Sequence, residues 1–200
     1  IKVLNKFGYE VIIPSFDNDK LKRPLCCGRT YISYGQLDKA EKELNRFVNY
    51  ILVNGYYEMP IVGIEPSCLL TFSDEFKTLK NVKNRDKLKN KFYLLEEFIL
   101  EQINEGNNVS SNKFDQDVLI HGHCHQKSQD RIKGLTGLLS KLNINNKMID
   151  SSCCGMAGSF GYNSKNYDVS KKMANLSLIP ALKESTDKDF IVANGTSCRH

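Results

Sequence analysis

The sequence lacks any long apolar run, because no segment approaches the roughly 20 consecutive apolar residues that a membrane-spanning helix needs. It also lacks the pattern of a secretory signal peptide. The hydrophobic residues make up 40% of the chain and the charged residues 26%, which is typical of a soluble globular protein. These absences predict a cytoplasmic protein without a transmembrane segment.

The sequence has little charge of one sign in any one place. The net charge is +5, but the basic residues are interspersed with acidic ones, as in the stretch 77–91. No ladder of alternating basic and aromatic residues accompanies them, so the composition argues against a nucleic-acid partner.

Cysteine is present in an odd number, seven, and without a secretion signal. In a cytosolic chain, clustered cysteines favour metal, cluster or redox chemistry over structural disulfides. Each of the four histidines lies within three residues of a cysteine: His121, His123, His125 and His200. The cysteine and histidine positions therefore indicate a common site.

The tripeptide Cys-Cys-Gly occurs twice, at residues 26–28 and 153–155. Adjacent side chains of a strand point to opposite faces, so a cysteine pair serves one site only where the backbone turns. The glycines Gly28, Gly155 and Gly158 permit such turns. We expect them to allow a close approach of the backbone to a cofactor.

Hydrophobic periodicity predicts alternating strands and helices. The predicted helices cover 1–7, 36–53, 69–79, 88–103, 132–142 and 167–182, and the predicted strands cover 9–14, 60–64, 117–120, 147–150 and 189–193. This order predicts an α/β fold of two similar Rossmann-like halves with parallel sheets, related by internal duplication. The first repeat would cover 1–105 and be truncated at its N-terminus, a linker would cover 106–116, and the second repeat would cover 117–200.

The cysteines follow predicted strands, and ligands of parallel sheets gather at the carboxyl ends of the strands. The second half supplies four of them: Cys124, Cys153, Cys154 and Cys198. Four thiolates suffice for an iron–sulfur cluster or a tetrahedral zinc ion. The first half offers only three: Cys26, Cys27 and Cys68. Its fourth ligand would fall before Ile1, so a metal site here and three buried small side chains are weighed almost equally. The chain opens on Ile1 rather than Met with a helix-like segment already under way, and we therefore expect it to be part of a longer polypeptide.

Other polar residues lie near these cysteines. His123 and His125 flank Cys124 and cannot easily share its direction, so a supporting or substrate-facing role is at least as consistent as ligation. His200 could complete a mixed site, whereas His121 is interpreted as structural. Glu65 could be a ligand or a general base, but a carboxylate before a proline more often accepts backbone hydrogen bonds in a turn. The sequence assigns no catalytic residue.

Five segments carry a resemblance to a known family: CCGRTYISYGQLDKA, GIEPSCLLTFSDEF, HGHCHQK, CCGMAGSFGYNSKNYDVS and NGTSCRH. The chain resembles the cysteine-rich (CCG) domain of heterodisulfide reductase B subunits and glycolate oxidase iron–sulfur subunits. It is most similar to the C-terminal region of fused FAD-linked oxidase/iron–sulfur proteins of the D-lactate or D-2-hydroxyglutarate dehydrogenase type. Heterodisulfide reductase repeats end in Cys-x-x-Cys, and both second cysteines are missing here, so that family's full site is not carried over.

The resemblance implies electron transfer in an FAD-linked 2-hydroxy-acid dehydrogenase. FAD would lie in an upstream domain outside this chain, beside ferredoxin-type domains or subunits, and electrons would pass to an iron–sulfur cluster. The chain alone would then be inactive, and the whole protein would be cytoplasmic or peripheral to the inner membrane. Two alternatives stay open. One is a heterodisulfide-reductase-like thiol–disulfide enzyme, and the other is a non-catalytic module stabilised by zinc.

Overall fold

The computed structural model describes residues 1–15, 21–107 and 114–200, and its helices and parallel strands form an α/β fold. The chain forms two compact units. The first unit is Ile1–Gly63 with Ser67–Asn107, and the second unit is Ile64–Pro66 with Asn108–His200. Of the predicted linker, residues 108–113 lie outside the described residues.

The first unit contains most of the helical residues that precede the linker. Its helices are α1 (Lys2–Lys6), α2 (Arg29–Ser33), α3 (Leu37–Val53), α4 (Pro66–Ser73, whose first residue belongs to the second unit), α5 (Glu75–Thr78) and α6 (Leu95–Asn104). Short 3-10 turns cover Tyr56–Glu58 and Arg85–Leu88. Strands β1 (Ile61–Gly63) and β2 (Phe92–Leu94) pair in parallel.

Helix α3 carries the core of the first unit. Its buried apolar residues recur at helical spacing, and Ala40, Leu44 and Val48 are almost inaccessible to solvent. Burying a leucine such as Leu44 stabilises the fold by about 1.5–3 kcal/mol. The helix ends before Gly55, which adopts a left-handed conformation with φ of +74°. Among the described residues, no helix is both long and apolar enough to cross a membrane.

Three predictions for the first unit are wrong in detail. The segment 88–103 is not one helix, because residues 92–94 form β2 and the Glu97 side chain accepts a hydrogen bond from the Leu94 N–H and starts α6 there. Phe92 stacks on Phe72 with ring centroids 4.4 Å apart, which holds β2 in the core. Residues 9–14 form no strand, because they pair with none of the strands in the described part of the chain. The helix predicted over 69–79 begins at Pro66 and is divided into α4 and α5.

The second unit is built on a three-stranded sheet. Its strands are β3 (Val118–His121), β4 (Asn146–Met148) and β5 (Phe190–Ala193). Its helices are α7 (Cys124–Ser128), α8 (Lys133–Lys141), α9 (Tyr167–Ala174) and α10 (Leu178–Glu184), with 3-10 turns at Phe160–Tyr162, Ser164–Asn166 and Ser197–Arg199. The strand order is β4-β3-β5 and both pairings are parallel.

This strand order positions the cysteines. The chain passes from the central strand β3 to β4 on one side and then crosses to β5 on the other. Crevices for ligands form where successive connections leave a parallel sheet in opposite directions. Because all three strands run the same way, the segments that follow them meet at one edge of the sheet.

The predicted helix over 167–182 is divided in the structure into α9 and α10. Pro180 is the third residue of α10 and therefore lies in its first turn. A proline is tolerated there because the N–H that it lacks would have no partner within the helix.

Candidate metal centre

Four cysteines of the second unit lie at the carboxyl edge of its sheet. Cys124 is the first residue of α7, Cys153 and Cys154 lie in the turn after β4, and Cys198 lies in the 3-10 turn after β5. The Sγ atoms of Cys154 and Cys198 are 3.6 Å apart. The Cys124 Sγ donates to the carbonyl of Ser152 at 3.9 Å, and Cys153 is close enough to raise the pKa of Cys124. The structure therefore brings together thiols that come from three strand ends.

The turn at Gly155 presents the cysteine pair. Its N–H donates to the Sγ of Cys153 at 3.3 Å, and its φ is +88°. A Cβ atom on Gly155 would lie 2.2 Å from the carbonyl oxygen of Ser170 on α9. The space beside this glycine is thus filled by α9. Gly158 also has a positive φ, +67°, but a Cβ there would meet nothing within 4 Å.

Lys127 ties helix α7 to the same turn. Its Nζ donates to the backbone carbonyl of Ser151 and, at 2.9 Å, to that of Ser152. Burial and the neighbouring Cys153 raise the pKa of Cys124, and the Lys127 cation opposes this change. The lysine therefore favours the thiolate form of Cys124 and also holds the turn in position.

His121 is the residue of the site that the sequence interpretation missed. It ends β3, is 2% exposed, and its Nδ1 lies 2.7 Å from the hydroxyl of Ser151. One ring nitrogen and the Sγ atoms of Cys154 and Cys198 all lie within 4.8 Å of one another. The period of two along β3 could have indicated that His121 lies near Cys154, because it places His121 on the same face as Leu119. Leu119 packs in the apolar cluster that contains Cys154.

The two closest thiols of the site have opposite pKa shifts. The hydrogen bond with Cys198 lowers the pKa of Cys154, and the neighbouring His121 ring and the Met156 N–H act in the same direction. The same contact with Cys154, together with burial, raises the pKa of Cys198. Cys154 is therefore the stabilised thiolate of the pair. The thiolate is the form of cysteine that binds metal.

His123 and His125 occupy the start of helix α7. His123 is 6% exposed and its Nδ1 accepts the N–H of His125 at 3.2 Å, which satisfies one of the free N–H groups of the first helical turn. Burial and then the neighbouring His125 lower the pKa of His123. A Cβ on Gly195 would lie 2.2 Å from the His123 ring, so the imidazole packs directly on this glycine. The contacts of His123 are those of a helix cap.

Glu65 and His200 have different surroundings. The Glu65 Oε2 accepts hydrogen bonds from both the N–H and the hydroxyl of Thr196, each at 2.8 Å. It thereby holds the segment that leads to Cys198. His200 is exposed, and its ring lies 5.8 Å from that of Tyr162. Among the described residues, the group at metal-ligand spacing includes neither of these side chains.

The first unit contains a similar turn with two cysteines, and a third cysteine, Cys68, lies in α4. The Gly28 N–H donates to the Sγ of Cys26 at 3.4 Å, its φ is +76°, and a Cβ there would lie 3.2 Å from the Ala40 carbonyl oxygen on α3. Cys27 is 8% exposed and Cys68 is exposed, and a hydrogen bond between their thiols, with burial, raises the pKa of Cys27. The turn at 26–28 therefore repeats the local geometry of the turn at 153–155.

Comparison with known proteins gives a family match and several relatives. The cysteine-rich domain family, CCG, matches residues 118–200. The whole chain is 27% identical over 201 residues to one of the subunits of the anaerobic glycerol-3-phosphate dehydrogenase of Escherichia coli K12, and covers 48% of that polypeptide. It is 24% identical over 204 residues to a D-2-hydroxyglutarate dehydrogenase of Pantoea ananatis, of which it covers 18%. No solved structure matches the chain significantly.

A third relative is an uncharacterized iron–sulfur protein of Methanococcus maripaludis, 24% identical over 208 residues, of which the whole chain covers 36%. The chain thus spans half or less of the length of these relatives. The names of these relatives are those of dehydrogenases and an iron–sulfur protein. Residues 118–200, which contain Cys124, Cys153, Cys154 and Cys198, are thus similar to the cysteine-rich CCG domain family.

Proposed function

We propose that the second unit holds an iron–sulfur cluster on Cys124, Cys153, Cys154 and Cys198 and transfers electrons in an FAD-linked 2-hydroxy-acid dehydrogenase. The observation that carries this proposal is the convergence of these four thiols at one edge of the parallel sheet. The site suits the group chemically, because thiolates are the usual ligands of iron–sulfur clusters.

The cluster would supply a one-electron carrier, and the residues around it prepare the site. Cys154 is held as a thiolate by its hydrogen bonds. Lys127 fixes the turn that carries Cys153 and Cys154, and Glu65 fixes the segment that carries Cys198. These contacts preorganise donors that come from separate strands.

The rest of the electron path would lie outside this chain. FAD and ferredoxin-type domains or subunits would precede it, and the flavin would take the hydride from the hydroxy acid. The D-2-hydroxyglutarate dehydrogenase similarity supports this substrate class. The whole protein would be cytoplasmic or peripheral to the inner membrane. The chain by itself should oxidise no hydroxy acid, and adding it to the flavin domain should raise activity with an electron acceptor above that of the flavin domain alone. An unchanged activity would contradict this placement.

Metal analysis tests the cluster directly. Iron, sulfide and zinc are measured per chain after anaerobic purification of the wild type, Cys154→Ser and the matched control Cys27→Ser. Both positions are the second cysteine of a Cys-Cys-Gly turn and both are 8% exposed. Iron and sulfide that are lost in Cys154→Ser and kept in Cys27→Ser support the proposal. Zinc without iron would instead indicate the zinc-stabilised module, and iron that is unaffected by Cys154→Ser would refute the ligand assignment.

The two Cys-Cys-Gly turns support an internal duplication with repeats at 1–105 and 117–200 and a linker at 106–116. Their N–H···S distances are 3.4 and 3.3 Å, and both glycines have left-handed φ values. Residues 117–200 expressed alone should then bind iron as the full chain does. Because this fragment lacks Glu65, the full chain with Glu65→Ala is the control. A folded fragment that binds no iron, beside a control that does, would contradict the boundary.

Thiol–disulfide exchange is a second candidate function, favoured by the contact between the Cys27 and Cys68 thiols. The exposed Cys68 would attack a substrate disulfide and release one substrate thiol. Cys27 would then displace the second substrate thiol from Cys68, so that the substrate gains two electrons and the protein forms one disulfide. Incubation of the reduced chain with glutathione disulfide should yield two glutathione molecules and a Cys27–Cys68 disulfide. Unchanged thiol content in Cys27 and Cys68 would exclude this function.

A further inference from the structure

One buried nitrogen of the second unit has no hydrogen-bond partner among the described residues. This atom is the Nε2 of His121, a residue that is only 2% exposed. It is inaccessible to solvent and makes no hydrogen bond with the described residues. Buried polar atoms are nearly always paired, because an unpaired one costs about 1–3 kcal/mol. An atom of this kind beside two cysteine sulfurs, all within 4.8 Å, indicates a group that the protein alone does not supply.

The other side of the imidazole is held firmly. The Nδ1 lies 2.7 Å from the Ser151 hydroxyl, and Ser151 is itself 5% exposed. If Nδ1 carries the proton and donates it to Ser151, Nε2 presents a free lone pair to the site. Histidine ligands of metals commonly donate their second N–H in this way, which fixes both the tautomer and the ring orientation. Ser151 is thus a positioning residue for His121.

We propose that His121 binds iron of the cluster through Nε2, beside Cys154 and Cys198. This inference rests on the proposed function, since it needs an iron centre in the second unit. A neutral imidazole in place of a thiolate leaves the centre less negative, and replacing cysteine by histidine ligands raises the reduction potential of iron–sulfur centres. His121 would therefore tune the potential of the cluster as well as bind it.

The test uses the full chain, purified anaerobically and brought to a paramagnetic state of its iron centre. Electron–nuclear double resonance is recorded on protein with natural histidine and with ¹⁵N-labelled histidine. We expect a strongly coupled nitrogen that changes with the label, disappears in His121→Ala and persists in His200→Ala. His200 is the matched control because it is an exposed histidine of the same unit.

The outcomes separate the two proposals. Absence of iron in the wild type refutes the proposed function and this inference with it. Iron without a strongly coupled histidine nitrogen, or with only the weak coupling of a hydrogen-bond donor to sulfur, overturns the inference alone. If His121→Ala fails to fold, the labelled wild type still shows whether a histidine binds the iron, and persistence of the coupling in His123→Ala, His125→Ala and His200→Ala then assigns it to His121. Ser151→Ala provides a second check, because it keeps the imidazole and should alter the coupling and raise or lower the reduction potential.

Discussion

Replacing Gly155 by alanine tests how the fold presents the Cys153–Cys154 pair. The added methyl group has two consequences. First, the φ of +88° is left-handed, and an alanine in that region costs roughly 1–2 kcal/mol. Second, the methyl carbon would lie 2.2 Å from the Ser170 carbonyl oxygen, and α9 or the turn must move. Overpacking of this kind costs about 1–3 kcal/mol.

The expected loss is therefore about 2–5 kcal/mol of the free energy of unfolding of the second unit. Gly158→Ala is the matched control. Its φ is also left-handed, at +67°, but no heavy atom of the described residues, apart from those of the glycine and its chain neighbours, lies within 4 Å of the added carbon. It should lose only the backbone contribution, roughly 1–2 kcal/mol.

Urea denaturation of the metal-free proteins, followed by circular dichroism, measures both variants. The difference between them should be about 1–3 kcal/mol, which is the contribution of the steric clash alone. In the iron-loaded proteins, Gly155→Ala should also hold less iron per chain than Gly158→Ala, because the turn that carries both thiols must shift. Equal stability and equal iron content of the two variants would refute the reasoning.

Three further predictions concern stability, each measured by urea denaturation. Leu44→Ala should lower the free energy of unfolding by about 2–5 kcal/mol, because Leu44 is fully buried. The control Leu37→Ala, at a position that is 48% exposed, should lower it by at most about 0.5 kcal/mol. Similar losses in the two variants would contradict the assigned core. Lys127→Met should destabilise the second unit by about 1–3 kcal/mol through loss of charged hydrogen bonds to two carbonyls, and an unchanged midpoint would argue against that role. Glu41→Gln should be destabilising at neutral pH, because hydrogen bonds from Asn81 hold the pKa of Glu41 below its usual value. The carboxylate then stabilises the fold above about pH 4.3, and its contribution is lost as the pH falls through the folded pKa. The free energies of unfolding of wild type and variant should therefore converge in acid. A difference that stays constant with pH would refute this.

Much of the arrangement follows from local features of the sequence. The apolar spacing of residues 37–53 predicts α3, and alternation of short apolar segments with helices predicts parallel strands whose ends carry the cysteines. The family resemblance is confirmed by the match over residues 118–200. The metal ligands, the repeat boundaries and the internal duplication stay predictions.

Boundaries were less predictable than the presence of elements. The segment 88–103 has helical periodicity throughout, yet Phe92 pairs with Ile61 in a strand because its ring stacks on Phe72. The segment 9–14 has strand composition but pairs with no described strand. In both cases the outcome depends on a partner distant in sequence, and local propensity does not contain that information.

By itself, the sequence predicted the type of chemistry, because clustered cysteines at strand ends favour soft metals and redox centres. Only the tertiary structure decided which donors meet. His121 was interpreted as structural, and the fold places its imidazole beside Cys154 and Cys198. That juxtaposition arises because the strand order β4-β3-β5 sets the end of the central strand between the turns that follow its two neighbours. Such a neighbourhood depends on strand pairing between distant segments, which no local pattern of residues specifies.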